Sequence, residues 1–127
     1  MRLTSVLIEG RVVIAASAPP MDHASVHVRL EDVSVVDAAS LLLAQIVIDG
    51  VVHRGSSETV VPFVIRCAVA IDAGADYAIS AWVDRDGDGS PGSGDLHSDR
   101  RYPVLTRGFG RTVDIVVGSS SQHTASR

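Results

Sequence analysis

Apolar residues recur at every second position of this chain in one short run after another, and that period is what a half-buried β-strand requires. In the first run, Leu3 to Ala15, Val6, Ile8, Val12 and Ile14 share one parity while Glu9 and Arg11 take the other. A second run, Ser25 to Val33, sets Val26, Val28 and Leu30 against His27, Arg29 and Glu31. Further runs cover Leu41 to Ile48, Glu58 to Cys67, Asp76 to Val83 and Arg111 to Val117, with a shorter piece at Tyr102 to Leu105. Pro19-Pro20 separates the first two runs, Asp49-Gly50 reads as a turn, and Pro62 marks an edge strand or a bulge. Only Val35 to Leu43 offers a helical alternative, a short turn capped by Asp37. About seven short strands at this spacing predict an all-β fold, a single immunoglobulin/transthyretin-like β-sandwich with Greek-key connections. The domain is expected over residues 1–118, with 119–127 a disordered polar tail.

Composition agrees with sheets. Of the 127 residues 46% are hydrophobic but only 4% aromatic, so Val, Ile, Leu and Ala must build the core. The net charge of −4 argues against a nucleic-acid partner. Cys67 is the one cysteine, which excludes an internal disulfide and reads as a small buried apolar residue. No run reaches the roughly 20 apolar residues of a membrane helix, so no membrane insertion is expected. Glu9 and Arg11 interrupt the N-terminal apolar stretch, and it therefore reads as a strand rather than a signal peptide. As written the chain reads as cytoplasmic; a truncated envelope protein would read the same way.

One local signature points to a sandwich. In Ile71-Asp72-Ala73-Gly74-Ala75-Asp76-Tyr77 the spacing matches a tyrosine corner, where the tyrosine hydroxyl bonds back to the preceding loop.

Asp84-Arg85-Asp86-Gly87-Asp88-Gly89-Ser90-Pro91-Gly92-Ser93-Gly94-Asp95 fits the calcium-loop pattern D-x-D-x-D-G-x5-[D/E]. Asp84, Asp86 and Asp88 would converge on one hard cation because Gly89 permits the sharp turn. The Ser90 carbonyl and Asp95 would close the shell. Position 12 is the shorter Asp, and a strand rather than a helix enters the loop, so this is no EF-hand. The alternative is a solvated hairpin loop whose Asp, Gly, Ser and Pro follow from turn chemistry. Calcium is the cofactor this loop suggests.

No nucleophile elbow, P-loop, H-E-x-x-H or C-x-x-C occurs, and no enzyme is expected. His23 and His27 lie on an outer strand face and read as surface residues; Asp32 and Asp37 read as caps or turn residues. Trp82 alternates with Tyr77, Ile79, Ala81 and Val83, so it faces outward if they face the core. An outward tryptophan is a candidate partner contact, unless the segment from Gly94 to Arg101 covers it.

Leu30-Glu31-Asp32-Val33-Ser34-Val35-Val36-Asp37-Ala38 and Tyr102-Pro103-Val104-Leu105-Thr106-Arg107-Gly108 resemble conserved runs of the YbaY-type lipoprotein family. That family is related to the YscW pilotin of type III secretion. Val61-Pro62-Phe63, Tyr77 to Ala81, Gly10 and Pro19-Pro20 are similar too, and the resemblance spans about residues 5 to 117. It implies a non-catalytic sandwich that acts through protein–protein contacts, as a pilotin binds a secretin subunit and delivers it to the outer membrane. It assigns no site residue, since the matching runs read as framework. The alternative is a calcium-dependent module for a small ligand or carbohydrate.

Overall fold

A computed structural model of the chain describes residues 3–35, 39–85 and 95–118. Eight strands follow one another: β1 (Thr4–Ile14), β2 (Met21–Asp32), β3 (Leu41–His53), β4 (Thr59–Val69), β5 (Tyr77–Asp84), β6 (Leu96–His97), β7 (Tyr102–Val104) and β8 (Thr112–Val117). They form two sheets packed as a sandwich. The smaller has the order β4-β1-β8, and the larger has the order β3-β2-β5-β6, with β7 also pairing with β5. The chain therefore crosses between layers after β1, β3, β4 and β7. All pairs are antiparallel except β1 and β8, which run parallel from Glu9↔Thr112 to Ile14↔Val117.

The alternating residues face as the period requires. Val6, Ile8, Val12 and Ile14 from β1 meet Val26, Val28 and Leu30 from β2 in the core. Ile79 and Val83 from β5 and Ile115 and Val117 from β8 are fully buried beside them. Burying each such side chain contributes about 1.5–3 kcal/mol, and this repeated small gain replaces the aromatic core that the chain lacks.

Three local features fix how the strands meet. The backbone N–H of Asp72 donates to the Tyr77 hydroxyl at 3.0 Å, so the tyrosine corner forms as its spacing predicts. Gly10 lies where β8 runs alongside β1, and a Cβ there would fall 1.8 Å from the Val113 carbonyl oxygen. His53, at the end of β3 and only 1% exposed, bonds through Nε2 to the Ala18 carbonyl (3.2 Å) and through Nδ1 to Thr59 Oγ1 (2.7 Å). A carbonyl only accepts, so Nε2 carries the proton and, in the neutral ring, Nδ1 accepts from the Thr59 hydroxyl.

Two expectations about local structure change. Asp49-Gly50 does not end its strand, because β3 continues to His53. The pair is instead a bulge: Ala24 pairs with Val51 and Val26 with Ile48, so two residues of β3 oppose one of β2. Gly50 supplies the positive φ of 71°, and the Ser25 hydroxyl holds Asp49 at 2.7 Å. The helical alternative for Val35 to Leu43 loses its second half, since Leu41 to Leu43 open β3; residues 36–38, with Asp37, lie outside the described residues. So does the expected tail, residues 119–127. Pro62 sits on the sheet-edge strand β4, and Tyr102 to Val104 supply the short extra strand β7.

Candidate functional site

The outer face of the larger sheet is built by the residues that the core leaves over. On β2 these are His27, Arg29 and Glu31; opposite them on β5 stand Trp82, Ser80 and Ala78. Trp82 is in turn paired with His97 of β6. Residues directly opposite on neighbouring strands are close enough for rings to touch. Here the His27 and Trp82 rings stack at 4.0 Å between centroids with planes 14° apart, and Trp82 and His97 follow at 6.3 Å and 23°.

That row of rings corrects the reading of His27 as a surface residue. His23 is exposed as expected, but His27 is 6% exposed, and neither of its ring nitrogens has a hydrogen-bond partner. It does face outward. It sits on an interior strand, however, and the indole of Trp82 lies flat across it. Trp82 itself is half-buried, while Tyr77, Ile79, Ala81 and Val83 on the opposite face of β5 are buried, as alternation requires.

Beside Trp82 a cleft of about 370 Å³ opens between β2, β5 and the segment after β6. Arg29, Arg100 and Arg101 line it, with Glu31 the one acid among the described residues and Ser80 and Ser98 among its walls. Glu31 is only 7% exposed and accepts from the Ser40 hydroxyl at 2.5 Å, while Arg29 Nη2 lies 3.9 Å from the same oxygen. Arg29 Nε is buried with no partner. The guanidinium of Arg100 lies 4.7 Å above the Tyr102 ring. Tyr102 is itself anchored: its hydroxyl donates to Asp99 at 2.5 Å and accepts from the Val116 N–H at 3.1 Å. Burial pushes that phenol above its ordinary range, and the bond to Asp99 pushes the same way. Ser98 ties β6 to β5 by donating its N–H to the Ala81 carbonyl at 2.8 Å.

The acidic loop leaves from the same strand. Asp84 is fully buried at the end of β5, opposite Ser25. Asp95 is half-buried and accepts the Arg85 N–H at 3.2 Å, so the two ends of the loop return to a common base. Asp86, Asp88 and Ser90 lie outside the described residues. Among the described residues no group of three or more His, Cys, Asp or Glu is placed to hold a metal. Asp32 serves its turn, accepting from the backbone N–H of Ser34 at 2.9 Å. Cys67 is half-buried, with its thiol directed at the Leu43 carbonyl 3.6 Å away.

A second surface lies at the edge of the larger sheet. β3 has thirteen residues and pairs with β2 alone among the described residues. Leu41 is 63% exposed, and Leu42, Val47 and Val52 are each more than 40% exposed. The strand contains no Pro and no basic residue before His53, and its one acid, Asp49, is held by Ser25. Edge strands ordinarily blunt such a surface with proline, charge or cover. β4, the edge of the other sheet, does so with Pro62 and Arg66. β3 does not.

The comparison with protein families decides the kinship. The family described as type III secretion system lipoprotein chaperone (YscW) matches residues 4–117. The chain belongs to the YscW family. The resemblance carried by the runs at Leu30 to Ala38 and Tyr102 to Gly108 therefore holds at the level of YscW, to which the YbaY type is related. No curated protein matches the chain by sequence. Among solved structures, an alternative pilotin from the type II secretion system of Vibrio cholerae superposes with a TM-score of 0.70. The two are 24% identical, and the match covers 90% of this chain and 96% of that one. At that identity the likeness establishes a shared fold, and the YscW sandwich is the frame that carries both surfaces.

Proposed function

We propose that the chain is a protein-binding chaperone domain of the YscW type, which acts by contact rather than catalysis. It takes an extended segment of a secretin subunit onto the free edge of β3. The observation that carries this reading is that edge itself: long, largely apolar, without proline, and unpaired among the described residues. A partner segment that pairs there gains main-chain hydrogen bonds and buries the exposed faces of Leu42 and Val47. Calorimetry with peptides that tile a secretin subunit tests the reading. Wild type binds one of them, and Val47→Lys, which adds a charge at an exposed edge position, weakens binding about tenfold. Equal affinity for the two proteins overturns strand addition; no heat with wild type overturns the partner.

A second reading concerns the acidic loop as a calcium site that orders the chain beside Trp82, and it would serve a calcium-dependent ligand module. It is favoured by the return of Asp84 and Asp95 to one base, with Asp95 held by the Arg85 N–H. A cation bound only by the native state must stabilise it, so saturating calcium raises the melting temperature by about 5 °C or more. The Asp86→Ala/Asp88→Ala double variant loses that rise. An unchanged melting temperature in wild type removes calcium from the account.

A further inference from the structure

We propose that the cleft beside Trp82 is a receptor for a carboxylate side chain of a bound protein segment, taken between Arg29, Arg100 and Arg101. The inference rests on the protein-binding reading and adds the chemistry of the partner.

Charge is the first ground. The chain as a whole carries −4, yet three of its eleven basic residues meet in one cleft against a single acid among the described residues. That acid, Glu31, is nearly buried and already serves Ser40 and Arg29. The cleft is therefore cationic toward solvent in an otherwise acidic protein. An approaching carboxylate is drawn to it, and like-charged partners are turned away.

Hydrogen bonding is the second. The Arg29 side chain is 39% exposed, and its Nη2 stands 3.9 Å from Glu31, too far for a hydrogen bond. The planar guanidinium presents its donors as a fork, and the fork matches a carboxylate. A carboxylate in the cleft meets the exposed end of that fork. Arg100, held over Tyr102, is positioned in advance, so little side-chain freedom remains to be lost.

The third ground is shape. Trp82, stacked between His27 and His97 in the row of rings, gives one side of the cleft of about 370 Å³ an apolar wall. The wall suits the methylenes of the acid or an apolar neighbour in the same segment. A free phosphate would use the arginines and leave that wall bare. An acidic residue beside an apolar one uses both.

Trp82 is the only tryptophan, so its fluorescence reports the cleft directly. The probe is an acetylated, amidated pentapeptide carrying one Glu beside a Leu, with its Gln counterpart and inorganic phosphate as comparisons. The Glu peptide is expected to shift Trp82 emission saturably, about tenfold more tightly than the Gln peptide, and less tightly as salt rises. Arg29→Gln weakens the Glu peptide about tenfold, while Arg54→Gln, which lies outside the cleft, changes nothing. Equal binding of the Glu and Gln peptides overturns the proposal. So does indifference to Arg29→Gln, and so does phosphate that displaces the peptide and binds as tightly. The secretin segment, set beside the Glu peptide, separates the two readings. If the Glu peptide still binds while the secretin segment is not taken by wild type, the cleft stands and the edge reading falls. If the secretin segment binds wild type and Arg29→Gln alike, the edge reading stands and the cleft falls.

Discussion

Gly10→Ala is expected to lower stability by about 4 kcal/mol, a drop of roughly 15 °C in melting temperature, although it adds one methyl group to a partly buried strand. The methyl carbon would fall 1.8 Å from the Val113 carbonyl oxygen and 2.8 Å from its carbon. Both are backbone atoms, so no side chain can swing away to make room. β8 must move instead. Among the described residues β1 is its one strand neighbour in the sheet, with a single bridge from Val117 to Ser98 on its other side, and it carries Ile115 and Val117, both fully buried. Displacing it withdraws those two side chains from the core, and two such losses set the size of the effect. Gly110→Ala is the control, because a Cβ there meets nothing within 4 Å and its φ is ordinary. Urea denaturation of the two variants is the measurement. A Gly10→Ala midpoint equal to that of wild type would mean that β8 does not pair with β1 in this register.

His53→Ala is expected to cost about 3 kcal/mol, from a cavity and from two groups that lose their partners. The imidazole joins the turn after β1, the end of β3 and the start of β4 through Ala18 and Thr59. Its removal leaves the buried Ala18 carbonyl without its bond and the half-buried Thr59 hydroxyl without its acceptor. Thr59→Val removes one of the two bonds and leaves the ring in place, so it should cost about 1 kcal/mol. Thermal melts of both variants give the comparison. If His53→Ala costs no more than Thr59→Val, the ring fills space without joining the three segments.

Nothing in the spacing of His53 hinted at that role. It lies past the last alternating run before Glu58 and pairs with groups 6 and 35 positions away. Tyr77 is the opposite case. Its partner, Asp72, is five residues back in the same loop, so a local pattern was enough to identify the corner. His27 shows why facing and exposure differ. Period two placed it outward correctly, but only the register with Trp82 covers it. The arginine cleft was illegible for the same reason: Arg29 lies about seventy positions before Arg100 and Arg101, and no spacing rule connects them.

The sequence by itself determined that the chain folds into sheets, which side chains those sheets turn to the core and the family to which it belongs. Each follows from local pattern, because a pleated strand turns alternate residues to alternate faces whatever lies beside it. The tertiary structure alone decided which strands are neighbours. It brought β8 parallel to β1, left β3 at an edge, and gathered three arginines around Trp82. Neighbours are chosen by the joint packing of two layers, to which distant segments contribute together, so no single stretch of residues contains the choice.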